Sequence, residues 1–135
     1  MDQDDGERIA DLERIATIPS NHFRFLAKPV VTDVRSIRRG LIHFAGFWSG
    51  PWRVAFPKLT DVLAVADPEG TLEFVIVDCD QINEIHGLPE FAGNIHGNGE
   101  TAWICNGHVV ALSGPGARFD LYERHARELM DTCGA

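Results

Sequence analysis

Three cysteines, six histidines and a serine placed between two tryptophans are the residues with the clearest chemical potential in this chain. Cys79, Cys105 and Cys133 are widely spaced, and none belongs to the Cys-x-x-Cys pair that supports thiol–disulfide exchange. An odd number at such spacing does not read as a disulfide framework, so buried, unreactive thiols are the plain expectation. His86 and His96 flank a glycine-rich loop, each within Ile-His-Gly, with Asp78 and Asp80 close in sequence. Zinc ligands usually come as close pairs, which are missing here, so no metal is expected. The loop also lacks the Lys-Ser/Thr of a phosphate loop, and no cofactor is expected. Ser49 as a hydrolytic nucleophile would need a base within hydrogen-bond reach. His43 lies six residues back, roughly 20 Å along an extended strand, while His96 could approach from the loop. Ser49 reads better as a helix cap.

The elements that position these residues are organised around residues 41–59, LIHFAGFWSGPWRVAFPKL. Leu41–Trp48 is an apolar run suited to a buried strand. Ser49-Gly50-Pro51 breaks it, with Ser as N-cap and Pro at the first helical position. A helix then runs to about Ala66, with Val54, Leu59, Val62 and Leu63 near helical spacing. Leu72–Asp80 is a second buried strand, and the helix between the two implies a parallel, right-handed crossover. Pro29–Val34, rich in valine, is expected as the first strand. Residues 81–92 read as a weak helix broken by Gly87 and Pro89. Asn106-Gly107 between apolar runs predicts a hairpin of Thr101–Cys105 with His108–Leu112. A final helix spans 118–132, and a first one spans 4–17 as an addition that covers core or strand edge.

Trp48-Ser49-Gly50-Pro51-Trp52-Arg53 resembles the active-site turn of the thioredoxin family, Trp-Cys-Gly-Pro-Cys-Lys, and Pro57 fits the proline that often kinks the following helix. The order of elements agrees with that resemblance over roughly residues 29–132. It implies an α/β thioredoxin-like fold, a central mixed sheet flanked by helices. The division expected is an N-terminal helical extension over 1–28 and a thioredoxin-like domain over 29–135. Ser49 and Trp52 stand in the two cysteine places, and His43 where such proteins carry a buried Asp. A Ser hydroxyl cannot form a mixed disulfide and Trp cannot resolve one, so the resemblance implies a redox-inactive variant and not an enzyme. The proline that normally faces this turn is also missing; Gly99 or Glu100 occupies its place.

The formal charge of −8 argues against nucleic acid and against an anionic membrane surface. No apolar run reaches the ~18 residues of a membrane span, and a start rich in Asp lacks the features of a signal peptide. A single cytoplasmic domain is the expectation. The function expected is protein–protein binding to a partner with a basic face, for example as an immunity or antitoxin-like blocker or a regulator. Trp48, Ser49, Trp52, His96, Asn98 and Glu100 are the expected binding residues. The alternatives are an oxidoreductase-related enzyme using Cys79 or Cys105, and a small-molecule or metal binder at the 93–100 loop. The sequence leaves the oligomeric state open.

Overall fold

The computed structural model describes residues 4–134. The chain opens with α1, Asp5–Ile15, capped by Asp4, whose carboxylate accepts the Glu7 N–H at 2.8 Å. Five strands follow in one sheet: β1 Arg24–Leu26, β2 Arg39–Ala45, β3 Glu73–Asp78, β4 Thr101–Cys105 and β5 His108–Ser113. Their order is β1-β3-β2-β4-β5, with β1, β3 and β2 parallel and β4 and β5 antiparallel additions. The helices are α2 Val31–Arg35, α3 Gly50–Ala66 and α4 Tyr122–Thr132. The two strongest apolar runs of the sequence are therefore the paired central strands. The Asn106-Gly107 hairpin is where the turn chemistry puts it, with Asn106 itself at a positive φ of 51°.

The sheet separates two apolar clusters. One joins α1, α3 and α4 to one face through Leu12, Phe56, Leu59, Trp103 and Leu129. The other packs Ile82, Ile85 and Phe91 under Ile42, Phe44 and Val75. This two-sided cover explains why β2 and β3 read as continuous apolar runs rather than alternating ones.

Three expectations need correction. The first strand is not Pro29–Val34: residues 31–35 are helical, and the strand is Arg24–Leu26, in register with Val75–Val77. The Asp33 carboxylate accepts the Val30 N–H at 2.8 Å, which seats Asp33 in the first turn of α2. That local cap overrides the β preference of the valines, and Val30 and Val31 stay exposed. The sheet consequently begins before residue 29, within the stretch assigned to the extension. Residues 81–92 are not an α-helix either. They wind through successive turns, with i+3 bonds from Ile85 N–H to Ile82 C=O, Leu88 to Ile85 and Phe91 to Leu88, and single i+4 bonds from His86 to Ile82 and Ala92 to Leu88. This spacing aligns Ile82, Ile85 and Phe91 on the core.

The third correction concerns the cysteines. Cys105 and Cys133 form a disulfide across a sequence separation of 28. Cys105 ends β4, opposite Arg39 at the start of β2, so the bond lies at the far end of the sheet from Ser49. It pins the end of α4 to the sheet. Only the folded topology brings these two residues together, which is why their spacing gave no cue.

Candidate functional site

β2 ends at Ala45, and a turn through Phe47 and Trp48 leads to Ser49 and the start of α3. Ser49 is the N-cap: its Oγ accepts the Trp52 N–H at 3.3 Å and donates to Asn98 Oδ1 at 3.3 Å. Both partners suit a cap, and neither is a base, so the hydroxyl has no activating group. The loop 96–99 lies directly against the turn. A Cβ at Gly46 would stand 2.0 Å from the Gly97 carbonyl oxygen, so glycine is required for the two segments to approach.

Trp52 turns inward. It is 0% exposed and packs on Phe47, ring centroids 4.9 Å apart, and on Phe56 at 5.6 Å. Its indole Nε1–H donates to His43 Nε2 at 2.9 Å, and His43 Nδ1 lies 2.8 Å from Thr101 Oγ1. Indole nitrogen is a donor only, so His43 must accept at Nε2 and carry its proton on Nδ1. Thr101 then accepts from Nδ1–H and donates to the Gly99 carbonyl at 3.1 Å, which also accepts from the Tyr122 hydroxyl at 2.6 Å. The result is a directional chain, Trp52 to His43 to Thr101 to Gly99, with every side-chain polar atom used. Burial pushes the His43 pKa down to about 3, so the ring stays neutral. Gly99 fits through its φ of 103° and lack of a side chain; a Cβ there would come 2.8 Å from Ala55 and 2.9 Å from the Tyr122 oxygen. The cis peptide bond is instead Gly114–Pro115, after β5.

Trp48 turns outward. It is 65% exposed, and its Nε1–H donates to Asp80 Oδ2 at 2.8 Å. Gly97 closes under its ring, where a Cβ would stand 3.0 Å from Trp48 Cζ2 and 2.7 Å from Cys79 Sγ. The turn therefore places one tryptophan in the core and one on the surface, four residues apart.

Of the six expected binding residues, Trp48, Ser49 and Asn98 come together, and His96 lies exposed on the same loop. Ser49, Trp52 and Glu100 are buried and contribute no surface. Glu100 is buried, and its carboxylate accepts the N–H groups of His96 at 3.2 Å, Asn98 at 3.1 Å and Gly116 at 2.8 Å. It ties two loops together. Its charge is matched by these backbone donors.

Cys79 is the free thiol among the described residues. Burial first, then the charges of Asp80, Asp78 and Glu100, push its pKa up to about 12. It stays protonated and is a poor nucleophile at neutral pH. Asp78, Cys79 and Asp80 place potential ligand atoms within 4.8 Å of one another, and neither His86 nor His96 joins them. The Asp78 carboxylate is already used, with Arg8 Nε at 2.8 Å and the Asp80 N–H at 2.9 Å. The Arg8 contact anchors α1 to the end of β3. A second anchor joins Asp11 to Arg53 at 3.4 Å, and Arg53 also donates to the Phe47 carbonyl at 2.8 Å. With Leu12 fully buried, α1 covers core beside the turn.

Asp80 as the partner of Trp48, and Thr101 and Tyr122 as partners of the buried chain, are contacts that sequence reasoning missed. The run Leu72–Asp80 located this end of the strand, but not which carboxylate would face the indole.

No protein-family model matches this chain. No curated protein matches it either. Among solved structures, one chain superposes with a TM-score of 0.62 at 20% identity, covering 79% of this chain and 95% of its own. That structure is described as the basis of the thiol resolving mechanism in yeast mitochondrial 1-Cys peroxiredoxin via glutathione/thioredoxin systems. Thioredoxin of Fasciola hepatica is 28% identical with a TM-score of 0.49, covering 72% of this chain and 86% of its own. The fold is thioredoxin-like, in the α/β class, with helices flanking a five-stranded mixed sheet.

Two predictions follow from opposite fates of the tryptophans and from the neutral histidine. Trp52→Ala removes a buried indole and leaves His43 Nε2 without a donor, which should cost about 3–5 kcal/mol. Trp48→Ala should change stability by less than about 1 kcal/mol. Urea denaturation of both variants checks this; equal losses would contradict it. For His43, the unfolded ring protonates near 6.5 while the folded one resists to about 3. Its contribution is therefore complete above the unfolded value and is lost as pH falls from 6.5 toward 3, by up to about 1.4 kcal/mol per pH unit. Melting curves from pH 7 to pH 4 should show a decline that is shallower in His43→Gln; an equal slope in that variant would contradict the assignment.

Proposed function

We propose that this protein is a non-catalytic, thioredoxin-fold binding protein whose partner surface is Trp48 with His96 and Asn98 of the facing loop. One observation carries the proposal. The place where the resemblance would put two thiols holds the Trp52–His43–Thr101 chain, which uses its polar atoms internally. Beside it, the exposed Trp48 is held in one orientation by Asp80. An exposed aromatic among polar groups has the character of a binding hot spot. The net charge of −8 favours a partner with a basic face, and a small regulator or an immunity or antitoxin-like blocker fits that description.

The Cys105–Cys133 disulfide supports a second reading, an oxidoreductase using these two residues. A substrate dithiol would be oxidised to its disulfide while Cys105 and Cys133 became thiols, two electrons and two protons passing between them. Against it, Cys133 is 3% exposed and the bond is remote from the turn. The pair also bears on location. The cytoplasmic expectation relied on unpaired thiols, and disulfides persist mainly in oxidising compartments. Among the described residues no helix is long and apolar enough to cross a membrane.

An insulin-reduction assay separates the two readings. The binding reading predicts turnover at background, unchanged in Cys105→Ser and Cys133→Ser. Turnover above background that either variant abolishes would establish the second reading in its place.

A further inference from the structure

We propose that Trp48 and Asp80 together form a receptor for one cationic side chain, Lys or Arg, presented by the protein partner. This rests on the binding reading above and names what that surface recognises. The Trp48 ring is fixed at two points: its Nε1–H on Asp80 Oδ2 at 2.8 Å, and its six-membered edge against Gly97. Its remaining surface, 65% of the residue, is open to solvent. An exposed indole face is the best aromatic platform for a cation. Asp80 is exposed beside it, and among the described residues no Lys or Arg pairs with its carboxylate. Its neighbour Asp78 differs, being matched by Arg8 at 2.8 Å.

The contacts that Asp80 does make leave its charge in place. Oδ2 accepts the indole N–H, and Oδ1 receives only the weak Cys79 S–H at 3.8 Å. Neither donor carries positive charge. A guanidinium or ammonium group over the indole would satisfy the ring and the carboxylate at once. A neutral apolar segment would satisfy the ring alone, and an acidic one would be repelled.

The protein has three tryptophans, and the indole N–H groups of Trp52 and Trp103 are buried on His43 and Ser113. Trp48 therefore gives a separate reporter signal in a nitrogen-15 spectrum. The test titrates the labelled full chain with a Gly/Ser peptide bearing several arginines, and with its counterpart carrying neutral citrulline at each arginine. The proposal expects the arginine peptide to shift the Trp48 indole signal and leave those of Trp52 and Trp103 in place. Affinity should fall about tenfold or more for the citrulline peptide, for Asp80→Asn and, read by calorimetry, for Trp48→Ala, and should weaken with added salt. Equal binding of both peptides at Trp48 would overturn the cation inference while leaving the binding reading standing. An arginine peptide that leaves the Trp48 signal unmoved at millimolar concentration would overturn it as well. So would a Trp48 shift produced by protein concentration alone, which would make a second copy the occupant.

Discussion

The hydrogen bond from the Trp52 indole to His43 Nε2 fixes how the whole C-terminal edge of the sheet is built. It is a neutral bond between two fully buried groups, so its loss would strand an acceptor where water cannot replace the donor. It sets the tautomer of His43, and the tautomer sets the direction of the Thr101 hydroxyl. Thr101 and Tyr122 then converge on the Gly99 carbonyl. In this way the first turn of α3, the middle of β2, the start of β4 and the start of α4 are held by one polar chain inside an aromatic cluster. The chain uses neutral groups throughout, which avoids the desolvation penalty that a buried charge would carry.

Around that chain the two ends of the sheet have different fastenings. At the Ser49 end, Glu100 collects three backbone N–H groups from two loops, and the contacts of Arg8 and Arg53 hold α1 beside the turn. At the opposite end the Cys105–Cys133 bond closes α4 onto β4. The loop 96–98 is thus pinned from below by Glu100, which leaves Trp48, Asp80, His96 and part of Asn98 as the outward groups. Binding at such a preset surface would require little ordering of side chains on this protein.

The fold was largely legible because its strongest signals are local. The apolar runs of β2 and β3, the Ser-Gly-Pro start of α3 and the Asn-Gly hairpin each follow from a few adjacent residues. The misplaced first strand shows the limit. Three valines outweighed a single Asp in propensity, yet the Asp33 cap decided the conformation, and Arg24–Leu26 forms a strand through pairing with β3. The site was half legible. Ser49 is the helix cap its Ser-Gly-Pro context predicts, but it is buried, and Trp48, read as the end of the buried strand, lies beyond β2 and is exposed, whereas Trp52 and Glu100 were expected outside. Their direction depends on partners far away in sequence: His43 for one, and the backbone of residues 96, 98 and 116 for the other. The disulfide was hidden for the same reason, since nothing near Cys105 or Cys133 announces that β4 and α4 end side by side.

The state of the His43 ring reads the buried chain directly. Long-range nitrogen-15 spectra of the imidazole at neutral pH should show a protonated Nδ1 and an unprotonated Nε2, with the Trp52 indole proton among the slowest to exchange with solvent. A ring protonated at Nε2, or a Trp52 indole proton that exchanges as fast as that of the exposed Trp48, would contradict it.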